Sequence, residues 1–451
     1  MASAAEQLAA NLNFGAFQRA TDLHKRLWFT LGALIVYRLG TFIPIPGINA
    51  ERFAELFQQQ QQGFMGMFNM FSGGAVERSA IFALNIMPYI SASIIVQLMA
   101  TIYGPWEKLR KEGGEAGRKQ LNQYTRYLTV ALALVQSYIS AITALNSGVV
   151  EIPAVFFIVT TIATLTGGTM FLMWLGEQIT SRGVGNGTSL IIFAGIVAAI
   201  PAAIAQMLVL GQSGELNGGI ILGVFAMVIA LIIFIVFMER SQRRLLIQYP
   251  KRQVGNRMFG GESSFLPLKI NTSGVIPPIF ASSLLMLPMM AAGTIAQAEL
   301  PSWLEWVKTG VGALQQGQPG YIALYGFLII FFTFFYTSIV FNPEDTAENL
   351  RKYGGFLPGI RPGKRTAEYL DYVLTRLTVI GAAYIAFVCL VPEFFVANPA
   401  LQNFAFAFGG TSILIAVTVT MDTVAQIQSH LLAHQYEGLI KKAKLRGGRN
   451  R

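Results

Sequence analysis

The side chains of this chain that could do chemistry are few, and none forms a complete catalytic set. Among 451 residues there are three histidines and one cysteine, Cys389. That excludes a disulfide scaffold and a multi-cysteine zinc site, each of which needs several such ligands. His430 and His434 stand four apart, as two metal ligands on one helical face would, but no third ligand lies nearby and the pair reads as an amphipathic helix end. No metal is assigned. Gly183-Val184-Gly185-Asn186-Gly187 is rich in glycine like a phosphate loop, yet no Lys-Ser/Thr follows and the next residues open an apolar stretch. No Ser-His-Asp set or carboxylate dyad is apparent, so the chain reads as a protein that is not an enzyme and needs no cofactor.

Transporters driven by protons or ions carry ionisable groups near the bilayer centre, where the cost of burial marks them as functional. Here Glu177, Glu239, Asp422, Arg126 and Arg376 fall at the ends of apolar segments and Arg38 inside one; all are read as interfacial anchors. The apolar segments offer isoleucine at helical spacing instead: Ile86, Ile90 and Ile94, with Gln97 continuing the same face. Such a stripe reads first as helix packing. Its other reading is a ring that excludes water and small ions without directional hydrogen bonds, which suits a passage that must accept any side chain.

The elements that position these residues follow from composition. The chain is 53% hydrophobic and 12% charged, where soluble proteins are about a quarter charged. Ten segments are long and apolar enough to cross about 30 Å of hydrocarbon as helices. They are roughly 26–44, 79–101, 124–145, 153–175, 188–209, 218–239, 273–292, 320–341, 372–391 and 406–426. With the N-terminus inside, 27 of the 33 Lys and Arg residues fall on the cytoplasmic side, counting Arg26 at the edge of the first span, and three (Arg52, Arg78, Lys308) fall outside. The positive-inside rule therefore puts both termini in the cytoplasm. Met1–Phe14 has no Lys or Arg and no continuous apolar core, so it is not read as a cleavable signal.

The fold class is thus all-α: a polytopic membrane protein of ten transmembrane helices. Residues 1–25 form a cytoplasmic segment, 26–209 the first half, 218–426 the second half, and 427–451 a basic cytoplasmic tail. The net charge of +10 is dispersed over loops that alternate with spans, which speaks for topology and against DNA binding. Loops 240–272 and 342–371 are longer than topology needs, and their basic residues suggest a docking surface for something large. The halves echo each other. Asn85–Ser93 in the second span resembles Val275–Ser283 in the seventh, and Gly187-Thr188-Ser189 opening the fifth resembles Gly410-Thr411-Ser412 in the tenth. A five-plus-five duplication inverts the second half, making two pseudo-symmetric halves with a pathway between them. In the loop 45–78, the stretch from about 64 to 76 is apolar, Met-rich and too short to span; it reads as a re-entrant segment, either packed permanently or movable as a stopper, with Gly73-Gly74 as hinge.

Several ordered blocks carry a resemblance: Phe42-Ile43-Pro44-Ile45-Pro46-Gly47, Met67-Phe68-Asn69-Met70-Phe71-Ser72-Gly73-Gly74, Ile86-Met87-Pro88-Tyr89-Ile90-Ser91-Ala92-Ser93-Ile94-Ile95, Gln123-Tyr124-Thr125-Arg126-Tyr127, Met173–Thr180, Phe341-Asn342-Pro343 and Pro358-Gly359-Ile360-Arg361-Pro362-Gly363. Through these the chain resembles the SecY family, the channel subunits of the bacterial protein-conducting translocon, over nearly its whole length. The resemblance implies two halves clamping an hourglass pore in the bacterial inner membrane, closed outside by a plug and able to open sideways into lipid. It implies a pore ring of Ile86, Ile90, Ile192, Ile279 and Ile415, with Thr188 at a sixth position that is often aliphatic. The plug is implied at Phe64, Met65, Met67, Phe68, Asn69, Met70, Phe71, Ser72, Gly73 and Gly74, and the lateral gate at spans two and seven with Ser91, Gln97, Asn271 and Ser282.

Arg361 matches the basic residue that engages the motor ATPase SecA and the ribosome, with Lys251, Arg252, Arg257, Lys364 and Arg365 as further docking positions. Asn256 departs from a frequent pair of basic residues. The implied partners are SecE and SecG, SecA, the ribosome with its RNA facing the basic loops, signal-bearing preproteins and the lipid bilayer. A small-solute secondary transporter and a pore-less insertase or scaffold remain as alternatives. The first would concentrate a small solute in vesicles, and the second would tolerate polar residues in the isoleucine ring.

Overall fold

A computed structural model describes residues 21–60, 69, 71–111, 113–213, 218–249, 252–254, 257–259, 263–285, 318–392 and 409–447. The described chain is mainly helical, and a helix falls on each of the ten expected spans. These are α1 (Thr21–Gly40), α3 (Met87–Ile102), α5 (Gly114–Asn146), α6 (Ala154–Arg182), α7 (Gly187–Gln212), α8 (Gly218–Arg240), α9 (Ile276–Leu285), α10 (Pro319–Val340), α12 (Lys364–Leu390) and α13 (Gly410–Gly447). Shorter helices are α2 (Ala50–Gln60), α4 (Gly104–Lys111) and α11 (Pro343–Lys352). Among the described residues seven helices are long and apolar enough to cross a membrane, or eight if the bent pair α3 and α4 is one span. α1 carries Asp22, Lys25, Arg26 and Arg38 within its 20 residues. The stretch 286–292 of the expected seventh span lies outside the described residues.

Local sequence explains the boundaries. Asn342 caps α11, its side chain accepting from the Glu344 amide at 3.0 Å, with Pro343 in the first turn, Glu344 and Asp345 beside it, and Arg351 and Lys352 in the last. Asn186 does the same for α7, accepting from the Thr188 amide at 3.1 Å.

Two compact units emerge, residues 1–202 with 419–451, and residues 203–418. In the first, α3 packs on α5, α5 on α6, and α1 on α6. Tyr37 and Phe82 stack at 6.3 Å, and Phe82 continues onto Phe171 at 5.8 Å. In the second, α10, α11 and α8 pack on α12, the most enclosed of the long apolar helices.

One expectation needs correction. The second span is not helical from residue 79. Pro88 sits in the first turn of α3, where its missing amide and fixed φ start a helix, and the 16-residue helix covers about 24 Å. Residues 79–86 instead form turns with left-handed Ser79 (φ 45°) and Asn85 (φ 50°). They are stitched to the segment after α1: the Ile45 amide donates to the Ser79 carbonyl at 2.8 Å and the Ile81 amide to the Ile43 carbonyl at 2.9 Å. Beyond Tyr103 the chain turns by 102° into α4.

The all-α class stands, with small strand pairs added in one long loop. Loop 240–272 holds strands β1 (Gln242–Gln248) and β4 (Ser263–Lys269), paired antiparallel from Gln242↔Lys269 to Gln248↔Ser263. The short β2 (Arg252–Val254) and β3 (Arg257–Phe259) pair further out. The hairpin alternates: Leu245 and Ile247 point inward while Arg244 and Gln248 are exposed. Loop 342–371 covers the inward face with Ala347 and Leu357, and Leu370, Val373 and Leu377 of α12 complete a small core. Gln248 and Phe356 exchange both backbone hydrogen bonds, at 2.9 and 3.0 Å. The two long loops are therefore one folded body.

Leu370 is wholly buried in that core. Replacing it with alanine should cost about 2–5 kcal/mol, read as a lower unfolding temperature of the purified protein and faster tryptic cleavage in the hairpin.

Candidate functional site

The candidate site is assembled from the segment after α2 and the helices around it. Of the expected plug, Phe64, Met65, Met67, Phe68 and Met70 lie outside the described residues. Asn69 and residues 71–76 are placed inside the first unit: Asn69, Phe71, Ser72, Ala75 and Val76 are all buried. The Asn69 carbonyl accepts from the Gly74 amide and the Ser72 hydroxyl, both at 2.9 Å. Gly73 (φ 67°) and Gly74 (φ 84°) supply the left-handed turn that ends the helical residues here, a conformation costly for any side chain. Across this pair the Asn69 amide group donates to a Glu77 carboxylate oxygen at 3.2 Å, and its oxygen accepts from the Glu77 backbone amide at 3.0 Å. The glycines thus end a turn bracketed by Asn69 and Glu77, so the hinge expected at Gly73-Gly74 is clamped.

Three consecutive carbonyls of this turn are met by side chains from elsewhere. Asn85 donates to the Phe71 carbonyl at 2.6 Å, Tyr37 to the Ser72 carbonyl at 3.2 Å, and Arg38 Nη1 to the Gly73 carbonyl at 2.5 Å. Arg38 also sits 4.8 Å above the Phe42 ring, whose centroid Arg78 approaches at 4.2 Å. Sequence reasoning made Arg38 an interfacial anchor; its partners show a structural donor instead. The signal was available in its position, an arginine well inside an apolar segment, where an ionisable group needs a reason. Tyr37, Asn85 and Gly195 gave no such signal. A Cβ on Gly195 would collide with the Phe71 carbonyl oxygen, so only glycine lets α7 approach this closely.

The expected collar residues are distributed over both units. In the first, Ile86 is fully buried at the start of α3 and accepts from the Ile90 amide at 3.1 Å; Ile90 and Ile192 are buried as well. Thr188 is half-buried, and its hydroxyl donates to Asn186 Oδ1 at 2.7 Å. The polar group at this sixth position is therefore absorbed by its own helix start. In the second unit Ile415 is fully buried and Ile279 half-buried. At the expected gate, Ser91 Oγ and Gln97 Oε1 are buried without a hydrogen-bond partner among the described residues, while Ser282 donates to the Ile279 carbonyl at 3.0 Å.

Asn271 is spent inside its own unit. Its amide donates to Glu239 Oε1 at 2.6 Å and to the Gly274 carbonyl at 3.1 Å, and its oxygen accepts from Ser273 at 3.0 Å. The Tyr384 hydroxyl reaches the same Glu239 oxygen at 3.4 Å. Glu239, only 7% exposed, is thus no interfacial anchor. It ties the end of α8, the approach to α9 and α12 together at the base of the hairpin. Glu177 and Arg126 pair with each other in a bidentate bridge (2.8 and 2.9 Å) joining α5 to α6, and Arg376 lies over Tyr372.

The glycine loop 183–187 spends most of its amides within the protein rather than on a phosphate. Val184 donates to Thr30 at 3.0 Å, Gly185 to Gln426 at 2.8 Å and Gly187 to Thr180 at 2.8 Å. Of the docking residues, Arg361, Lys364 and Arg365 are exposed at a turn made by left-handed Gly359 and Gly363. Arg252 and Arg257 belong to β2 and β3, and Lys251 lies outside the described residues.

With this geometry established, comparison with known proteins gives a consistent result. A family model described as SecY matches residues 80–424. The chain is 52% identical to a protein translocase subunit SecY of Rickettsia bellii, over 97% of this chain and 100% of that protein. It is also 52% identical to the subunit of the same name from Vibrio cholerae, over 95% and 96%. Its fold is similar to that of a SecY protein whose plug domain stabilises the closed state of the translocation channel, with a TM-score of 0.66 at 18% identity, covering 91% and 93%. It is similar also to Sec61 in the canine ribosome–channel complex, with a TM-score of 0.62 at 18% identity and the same coverage.

Replacing Glu239 with alanine removes the acceptor for Asn271 and Tyr384 and should lower stability by about 1–3 kcal/mol, whereas Glu239→Gln keeps an oxygen there and should cost less. Thermal unfolding of the purified variants orders the two.

Proposed function

This chain belongs to the SecY family, and we propose on that premise that it passes unfolded preproteins across the bacterial inner membrane and releases apolar spans sideways into the bilayer. The observation that carries this reading is the extent of the relationship, 52% identity over 97% of the chain and the whole of the relative. Both halves and both long loops are included. The chain is a multi-pass membrane protein of a channel family. The excess of Lys and Arg on one set of loops supports the further assignment that both termini are cytoplasmic.

In the proposed mechanism a signal sequence intercalates between spans two and seven and the plug around residues 64–76 shifts. The chain then passes a collar of Ile86, Ile90, Ile192, Ile279 and Ile415, with Thr188 beside it. Aliphatic side chains seal around any passing residue because they make no directional bonds. Ser91 and Gln97, with polar atoms left over in α3, and Ser282 supply the gate with groups that can change partners. Asn271, held by Glu239, supplies the fixed end of span seven. Work comes from SecA with ATP or from translation; this chain hydrolyses nothing itself.

Docking of SecA or the ribosome is assigned to the folded body of the two long loops, with Arg361 at its exposed turn and Lys251, Arg252, Arg257, Lys364 and Arg365 around it. The ribosome–channel complex of the structurally similar Sec61 supports the ribosome as a partner. SecE and SecG are the small membrane partners. Neither a small-solute transporter nor a pore-less insertase is favoured. Arg38 and Glu239, ionisable side chains placed well inside the fold, are both committed to structural hydrogen bonds.

A photoreactive residue at Ile192 should crosslink to a stalled, signal-bearing polypeptide in membranes. Adducts confined to Gln97 or Ser282 would instead mean lateral insertion without a pore. Arg361→Glu should slow motor-driven transport about tenfold by reversing a contact charge, with assembly unchanged; wild-type rates would remove Arg361 from the docking surface.

A further inference from the structure

We propose that Tyr37, Arg38 and Asn85 form a latch that keeps the plug seated, and that Gly195 is the notch into which it closes. The inference rests on the reading of residues 64–76 as the plug and names what holds its described part, Asn69 and residues 71–76.

The argument begins with the last carbonyls of a helix, which have no partner within it. Phe71, Ser72 and Gly73 are buried, so bulk water does not take their place. The turn at Gly73 and Gly74 satisfies one of them, the Asn69 carbonyl. The next three, at Phe71, Ser72 and Gly73, receive Asn85, Tyr37 and Arg38. Two of these donors belong to α1 and the third to the turn before α3, so none moves with the plug. The strongest of the three is a cation set at the carbonyl end of a helical turn, where the backbone dipole favours positive charge. The Asn69–Glu77 bracket makes the turn one body, so a grip on three carbonyls is a grip on all of it.

Gly195 adds shape to this chemistry. Its Cα approaches the Gly73 side while a Cβ would strike the Phe71 carbonyl oxygen, and the Tyr37 hydroxyl lies beside the same spot. A methyl group there would push the carbonyls off their donors.

The latch also contains its own release. Arg38 and Arg78 share the Phe42 ring, and Arg78 Nη1 is buried without a hydrogen-bond partner among the described residues. Two like charges this close raise the energy of the closed arrangement. A latch of three polar contacts beside one repulsion can hold at rest and still give way to an entering chain.

The test measures resting ion conductance of the full membrane complex in planar bilayers, with deletion of residues 65–72 as control. Deletion, Arg38→Met and Gly195→Ala should each raise the open frequency about tenfold or more, and Tyr37→Phe about threefold. Arg38→Met should add nothing in the deletion background. A second readout places Ser72→Cys in a C389S chain: a membrane-impermeant maleimide applied from outside should label it faster with Arg38→Met. If deletion raises conductance while Arg38→Met, Tyr37→Phe and Gly195→Ala all behave as wild type, the latch is overturned and the plug stands. If deletion itself is silent, the plug reading falls first. Tyr37→Phe removes a single oxygen, so it decides the matter even where Arg38→Met fails to assemble.

Discussion

The irregular backbone around α3 answers to one constraint: within hydrocarbon, each amide and carbonyl must find a partner inside the molecule. Helices meet it automatically, and most of the chain is helical for that reason. α3 falls short. Its 16 residues cover about 24 Å of a layer about 30 Å thick. Irregular backbone before it must therefore be satisfied one bond at a time. Residues 79–81 use the segment after α1, and residues 71–73 use the side chains of Tyr37, Arg38 and Asn85. Burial of Ser79, Ala80 and Asn85 to 4%, 0% and 1% exposure shows how completely protein covers this stretch.

The same constraint explains why the few polar side chains in the apolar units are not scattered. Glu239 gathers Asn271 and Tyr384; Asn186 takes the Thr188 hydroxyl; Thr30 and Gln426 take the amides of the glycine loop. A buried polar group left alone costs about 1–3 kcal/mol, so each partnership fixes a neighbour in place. A channel built this way can have a greasy, undiscriminating path and a rigid frame at once, since the frame's polar groups are bonded to each other. Exceptions among the described residues include Gln136, Thr161 and Thr169 as well as Ser91 and Gln97 on α3, and the last two sit where the proposed gate needs groups with capacity in reserve.

Much of this was legible in the sequence because it depends on composition and on short blocks. Ten apolar segments and their basic loops could be read directly, and Arg361 through the family resemblance. The hairpin at 242–269 could not, because an amphipathic strand pair inside a basic loop is short and its alternation is visible only over Leu245 to Ile247 and at Leu268. Two ionisable residues, Arg38 and Glu239, take roles other than the interfacial anchoring expected of them. Arg38 and Glu239 stand near or within apolar segments, but whether such a group faces lipid headgroups or a carbonyl depends on residues 35 and 32 positions away, Gly73 and Asn271.

The sequence by itself determined that this chain lives in a membrane, how its segments alternate, and which family it resembles. Those properties are sums over local side chains, and transfer energy is nearly additive along a helix. The tertiary structure alone decided which donor meets which carbonyl. It made Gly195 a point of close approach, Gly73-Gly74 a clamped turn and Thr188 a self-satisfied polar residue. A hydrogen bond depends on position and direction to within a few tenths of an ångström, and the chain's pattern of types carries no such information until distant segments are packed together.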